Sequence, residues 1–136
     1  MPDLDLSYTP ATVLARMIRG KKISPVEIVQ NSLNRIEQVN PELNCFCFTY
    51  PEEALQKAAE AEQAVMAGKD IGPLMRIPIA IKDFTPTKGK RTTRGSNLLK
   101  DWVPEKDAVI VERLQGAGAI LVGKTTTPEF ATSGFT

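Results

Sequence analysis

The sequence predicts an α/β fold in which a mainly helical front piece, residues 1–70, leads into a strand–loop–helix–strand unit, residues 71–136. Three observations carry this reading. Before residue 70, apolar residues recur at helical spacing behind helix-start signals. After it, two short uninterrupted apolar runs, residues 77–81 (IPIAI) and 119–122 (AILV), have the look of buried strands. A helical segment separates those runs, and strand, helix, strand in that order suggests a right-handed crossover in a mixed or parallel sheet. The front helices are expected on the outside of that sheet.

Thr9-Pro10 reads as an N-cap with proline at the first helical position, followed by an apolar stripe of Val13, Leu14, Met17 and Ile18 and a C-cap at Gly20. Ser24 and Glu27 have capping-box spacing. The helix they open carries Val29, Leu33 and Ile36 to about Asn40, where Pro41 is expected to stop it. Residues 44–50, NCFCFTY, are aromatic and short and read as a strand. Pro51-Glu52-Glu53 starts a third helix, its acids favoured by the helix dipole, and Ala54, Leu55, Ala58, Ala61 and Val65 carry it to Gly68. Pro78 lies near the start of the first apolar run, where a strand tolerates it. Residues 83–106 form a 24-residue polar loop, longer than an ordinary connection and of a length often tied to function. Asp107 is expected to cap a helix through Ile110, Val111, Leu114 and Ala117, which Gly118 ends. Thr127-Pro128-Glu129 begins a further helical turn after the second apolar run.

Composition excludes several classes. The length of 136 residues suits one domain, and 42% hydrophobic with 24% charged residues suits a packed core rather than disorder. Seventeen basic residues against 16 acidic leave a net charge of +1, which argues against a large phosphate-binding surface, so no nucleic-acid partner is expected. The opening MPDLDLSYTP is acidic and polar, unlike a signal peptide, and the apolar runs are too short to cross a bilayer, so no membrane partner is expected. Cys45 and Cys47 are two apart and read as reduced core thiols of a cytoplasmic protein. There is no histidine, which removes a Ser-His-Asp triad, a Cys-His pair and most zinc sites. No metal and no cofactor are expected.

Residues 118–125, GAILVGKT, match the phosphate-loop pattern G-x-x-x-x-G-K-[ST] letter for letter. Their context argues against nucleotide binding. In a phosphate loop the residues between the glycines form a loop whose amides cradle phosphate, whereas Ala119, Ile120, Leu121 and Val122 read as strand. Lys124 then lies at the carboxyl end of a strand, facing either the same site as Lys82 or solvent.

Lys82 follows five apolar residues at the carboxyl end of what reads as a central strand, the end at which open α/β sheets bind ligands. Periodicity alone favours a solvated lysine. The surrounding segments change this. GPLMRIPIAIKDF (72–84), TTRGS (92–96), DAVIVERLQGAGAILVGKTTTPEF (107–130), SPVEIVQ (24–30) and NPELNCF (40–46) together resemble the amidase-signature family, in order and over nearly the whole chain. The resemblance implies that residues 1–136 are the amino-terminal portion of one amidase domain, with outer helices and the first strands of a mixed sheet. It implies hydrolysis of a carboxylic amide of a small molecule by a Ser–cis-Ser–Lys mechanism, with Lys82 as catalytic base toward the cis-Ser. The family's two serines and its oxyanion donors lie in a Gly/Ser-rich stretch downstream of Thr136. The 136 residues alone are therefore expected to be inactive, and a truncated non-catalytic fragment or interaction module is the rival reading. Pro128 before Glu129-Phe130 resembles stand-alone amidases more than the amidotransferase subunits that act on aminoacyl-tRNA. Arg76 stands where the family commonly has glycine, tolerable if the turn there has negative φ. Oligomeric state stays open, a homo-oligomer included.

A lysine base is demanding. With an ordinary pKa of about 10.4, roughly one amine in 2,500 is neutral at pH 7. Working near pH 7–8 needs a drop of roughly three units, about 4 kcal/mol against the charged form, and desolvation is the usual means. The apolar run before Lys82 is expected to supply a dry setting, and strand alternation points Asp83 to the opposite face, where it orders the following loop. Lys88, Lys90, Arg91 and Arg94 are expected to be solvated. Thr92, Thr93 and Ser96 are expected to close turns rather than to act in catalysis.

Overall fold

The computed structural model describes residues 3–136. Helices α1 (Leu4–Tyr8), α2 (Ala11–Arg19) and α3 (Pro25–Leu43) precede strand β1 (Phe46–Thr49) and helix α4 (Pro51–Met66). Strand β2 (Pro78–Lys82), helix α5 (Val109–Gly116) and strand β3 (Ile120–Thr125) complete the fold, with 3-10 turns at Asn97–Leu99 and Glu129–Ala131. The sheet is mixed, in the order β1-β3-β2, with β3 parallel to β2 and antiparallel to β1. Among the described residues β3 lies between the other two strands, and β2, expected to be central in the whole sheet, is paired on one side only.

Two packed layers hold the sheet. On one face Val29 and Leu33 of α3 and Ala54 and Ala58 of α4 bury Ile120 and Val122 of β3. On the other, Val111 of α5 packs on Ile81 and Leu121. A third cluster joins Leu14 and Ile18 of α2 to Ile28, Ile71, Met75 and Ile77. The small alanines of α4 let its backbone approach the strand closely, and each large apolar side chain buried this way contributes about 1.5–3 kcal/mol. Gly123 in β3 shows how tight the β1 contact is. A Cβ there would lie 2.5 Å from the Phe48 carbonyl oxygen and 2.8 Å from the Phe46 ring. Gly123→Ala is expected to lower stability by about 1–3 kcal/mol in urea unfolding, the usual cost of overpacking.

Local signals explain most helix ends, with three exceptions. The capping box forms as the spacing predicts: Glu27 N–H donates to Ser24 Oγ at 3.1 Å, and Ser24 N–H to Glu27 Oε2 at 2.8 Å. Pro41 does not stop α3, which runs to Leu43 and ends at Asn44 with φ 49°. A proline in the last turn removes a single hydrogen bond, and the Asn40 side chain repairs the exit by accepting from Phe46 N–H at 2.8 Å and donating to its carbonyl at 3.1 Å. Thr9 is not an N-cap. It closes α1, donating its hydroxyl to the Asp5 carbonyl at 2.7 Å, and α2 starts at Ala11 with Pro10 in the cap position and no side-chain cap. Asp107 does not cap α5 either, because its carboxylate accepts from Lys88 N–H at 2.6 Å and ties down the long loop.

The tight turn before β2 has left-handed backbone at Met75 (φ 49°) and Arg76 (φ 64°), contrary to the negative φ that would make arginine comfortable. The Arg76 Nε is also buried without a hydrogen-bond partner among the described residues. Left-handed backbone costs a residue with a Cβ about 1–2 kcal/mol, so Arg76→Gly is expected to raise stability by about 0.5–1 kcal/mol after the greater flexibility of unfolded glycine is subtracted, read as a higher melting temperature. No helix among the described residues is long and apolar enough to cross a membrane.

Candidate active site

β2 ends at Lys82, and the chain turns at once: Thr85 N–H donates to the Lys82 carbonyl at 2.9 Å. Lys82 is exposed, as is Ala80 two residues before it on the same face. The dry setting expected for this amine is absent from these 136 residues. The reason is topological: the apolar run buries Ile81 under α5, while alternation turns Ala80 and Lys82 outward from a strand with an open edge. Two clefts of about 520 and 470 Å³ lie along α3 near Asn40 and Leu55 and between Ile23 and Met66, and Lys82 lines neither.

Asp83 takes the opposite side, as alternation predicts, and is 2% exposed. Its Oδ2 accepts from Thr93 N–H at 3.1 Å and from the Thr93 hydroxyl, and its carbonyl accepts from Arg94 N–H at 2.9 Å. It therefore folds the first part of the long loop back onto the strand exit. Thr92 and Ser96, also buried, brace the same loop, Ser96 by donating to Glu129 Oε1 at 2.6 Å.

Lys124 faces neither the Lys82 side nor solvent. It is the largest fully buried side chain, 0% exposed. Its ammonium donates to the Thr85 carbonyl at 2.9 Å and to Thr92 Oγ1, and lies 3.5 Å from Asp83 Oδ1. Burial pulls its pKa below the usual lysine range, and the Asp83 carboxylate opposes that pull. A register shift after Ile79 places Lys124 here: Ile81 pairs with Lys124 and Lys82 with Thr125, so Lys124 shares the face of Ile81 and Asp83. Simple alternation from Ile120 and Val122 conceals this. The phosphate-loop match also fails on the structure, since residues 120–125 are β3.

The basic loop is not simply solvated. Lys90 pairs with Glu53 and lies 4.2 Å from the Tyr50 ring centre, Arg91 is 5.6 Å from the Phe48 ring, and Arg94 is 5.1 and 5.2 Å from the Phe84 and Trp102 rings. Hydrogen bonds from Lys57 and then Lys90 hold the Glu53 carboxyl below its ordinary range. Lys90 and Arg91 fasten the loop to α4 and β1, and Arg94 braces the loop within itself. Lys88 and Arg91 are exposed, in line with the solvated reading, whereas Lys90 and Arg94 are half-buried.

Both cysteines are free, but they are not core residues: Cys45 is half-buried and Cys47 exposed. The Cys47 sulfur nonetheless turns inward, 3.4 Å from the Lys124 carbonyl oxygen. Desolvation, then the nearby Asp83 carboxylate, pushes its thiol up to about 11. A protonated thiol is a poor nucleophile near neutral pH. Ser24 and Ser96 serve as caps, and Ser7 and Ser133 bond to neighbouring backbone carbonyls. The described residues thus bring together a strand-end amine and the buried frame behind it. They hold no cluster of side chains able to bind a metal.

Known proteins resemble the chain over most of its length. Residues 27–136 match the family model described as Amidase. A glutamyl-tRNA(Gln) amidotransferase subunit from Methylobacillus flagellatus is 48% identical over 118 residues, covering 87% of this chain and 24% of that protein. Its counterpart in Carboxydothermus hydrogenoformans is 39% identical, covering 94% and 26%. A bacterial aryl acylamidase of the amidase signature enzymes superposes with a TM-score of 0.84 at 30% identity, over 90% of this chain and 26% of the other. The peptide amidase from Stenotrophomonas maltophilia gives 0.83 at 30% identity, over 92% and 26%. The chain spans about a quarter of the length of these relatives.

Proposed function

The chain belongs to the amidase family, the amidase-signature enzymes, and on that premise we propose that it forms the lysine-bearing portion of an amide hydrolase in which Lys82 is the base. The observation that carries this reading is the position of Lys82, at the carboxyl end of β2 inside the stretch that resembles the family's lysine motif. In the full-length enzyme the neutral amine takes a proton from a serine hydroxyl, which in turn takes one from the nucleophilic serine. That serine's Oγ forms a bond to the amide carbonyl carbon, the C–N bond breaks, and the departing amine carries a proton away. Water then releases the carboxylate. The serines and the wall that dries Lys82 come from segments outside these 136 residues, and the 136 residues alone turn over no amide. A cytoplasmic location is part of the proposal, supported by the two free thiols.

The substrate is proposed to be a small-molecule amide, acted on without a partner, because Pro128 precedes Glu129-Phe130. The names of the curated relatives favour a second reading, one component of an amidotransferase that works on aminoacyl-tRNA. One assay separates them. Full-length enzyme, alone, is mixed with p-nitroacetanilide and with a panel of primary carboxamides, and release of p-nitroaniline or ammonia is followed. Partner-free release is expected. Turnover seen only after further protein components and charged tRNA are added establishes the second reading instead.

A further inference from the structure

The molecule places a second lysine, fully buried and unused by the mechanism above, directly behind the proposed base. Lys124 and Lys82 stand on adjacent parallel strands one residue out of register, so their backbones are about 5 Å apart and their side chains leave opposite faces. Asp83 links the two: its backbone follows Lys82, and its carboxylate meets the Lys124 ammonium at 3.5 Å. Asp83 is 2% exposed, so water screens its charge poorly. An uncompensated carboxylate there acts on Lys82 in the wrong sense for a base, because a nearby anion favours the protonated amine.

We propose that Lys124 is a positioning residue for Lys82: its buried ammonium neutralises the Asp83 carboxylate and pins the loop that leaves β2, so that the amine on the opposite face is neither held charged by Asp83 nor free to move with the loop. The pinning is direct, since Lys124 donates to the Thr85 carbonyl at 2.9 Å and to the Thr92 hydroxyl, three and ten residues beyond Lys82. The other titratable groups that act on the pair come from the β1 side, the Cys47 thiol and the Tyr50 phenol. The Cys47 thiol is pushed up to about 11 and the Tyr50 phenol to about 12, so both are neutral near pH 7. The loop's cations are engaged elsewhere, Lys90 with Glu53 and Arg94 at the Phe84 and Trp102 rings. Around Lys82, its register partner Thr125 and the turn residues Phe84 and Thr85 carry no charge. Charge balance across β2 therefore depends on the Lys124–Asp83 pair.

This inference rests on the reading of Lys82 as base, and the test keeps the two apart. The pH dependence of kcat/KM is measured on full-length enzyme carrying Lys124→Met, Asp83→Asn or Lys82→Ala, each well below its own melting temperature. Lys124→Met leaves the carboxylate uncompensated and is expected to move the acid limb up by about 0.5–1 pH unit; Asp83→Asn leaves the ammonium uncompensated and is expected to move it down by a similar amount. Both are expected to lower kcat about tenfold or more with little change in KM, as loss of positioning does. A merely structural role predicts no opposed shifts. If Lys124→Met does not fold, Asp83→Asn decides alone, because Asn can still accept from Thr93 and leaves Lys124 two of its acceptors. An acid limb unmoved in Asp83→Asn, or moved upward in both variants, overturns the proposal. Normal turnover in Lys82→Ala overturns the reading of Lys82 itself.

Discussion

In the full-length enzyme, Lys82→Ala is expected to lower kcat by about 10³–10⁴-fold and kcat/KM by nearly as much, the upper range for loss of a general base. Two physical reasons support this. Proton removal from a serine hydroxyl needs a neutral amine within reach, and alanine removes it while leaving the strand intact. The fold does not depend on this side chain: Lys82 is exposed, and it belongs to none of the ion pairs among the described residues. Stability is therefore expected to change by no more than about 0.5 kcal/mol, as at ordinary surface positions. Lys82→Arg separates base from charge. A guanidinium stays protonated at any working pH, so this variant is expected to be as inactive as the alanine variant. Substantial turnover in either variant, with steady-state kinetics on p-nitroacetanilide, removes Lys82 from the chemistry.

Lys124→Met is expected to destabilise the fold by about 3–5 kcal/mol, the scale for removing one member of a buried pair and leaving the other charge unpaired. That is a large share of the total stability of an ordinary domain. Methionine has a similar shape and fills the space, so the cost is electrostatic: Asp83, at 2% exposure, loses its counter-ion, and the Thr85 carbonyl loses the charged one of its two donors, keeping the Thr87 hydroxyl at 3.2 Å. The Thr92 hydroxyl suffers less, because it still donates to the Lys90 carbonyl at 3.1 Å. The double variant Lys124→Met/Asp83→Asn is expected to recover at least about 2 kcal/mol, since replacing both charges with neutral groups removes the unpaired carboxylate. Urea unfolding of the two variants checks this. If the double variant is no more stable than Lys124→Met, the pair's charge is not what holds this region together.

Many features of the fold can be read from short stretches of residues. The Ser24–Glu27 box, the glycine after α2, the aromatic strand at 46–49 and the two apolar runs all form, because each is decided by contacts within a few residues or by burial of a contiguous run. The departures share one physical source. Thr9 and Asp107 are good cap residues whose side chains find other partners. Pro41 does not stop its helix, because the Asn40 side chain reaches past it and holds the exit at Phe46. Arg76 occupies left-handed backbone that residue type alone argues against.

The resemblance of the chain's segments suffices for the family, and residue identity with period-two alternation suffices for the order of helices and strands, the place of Lys82 at a strand end, and the opposed directions of Lys82 and Asp83. Three further facts come from packing between distant segments: β2 pairs on one side only among the described residues, Lys82 is exposed in these residues, and Lys124 is the buried partner of Asp83. Each follows from strand order and from a register shift between β2 and β3. Register is fixed by which faces are buried once segments far apart in the chain come together, so no local pattern of residues reveals it.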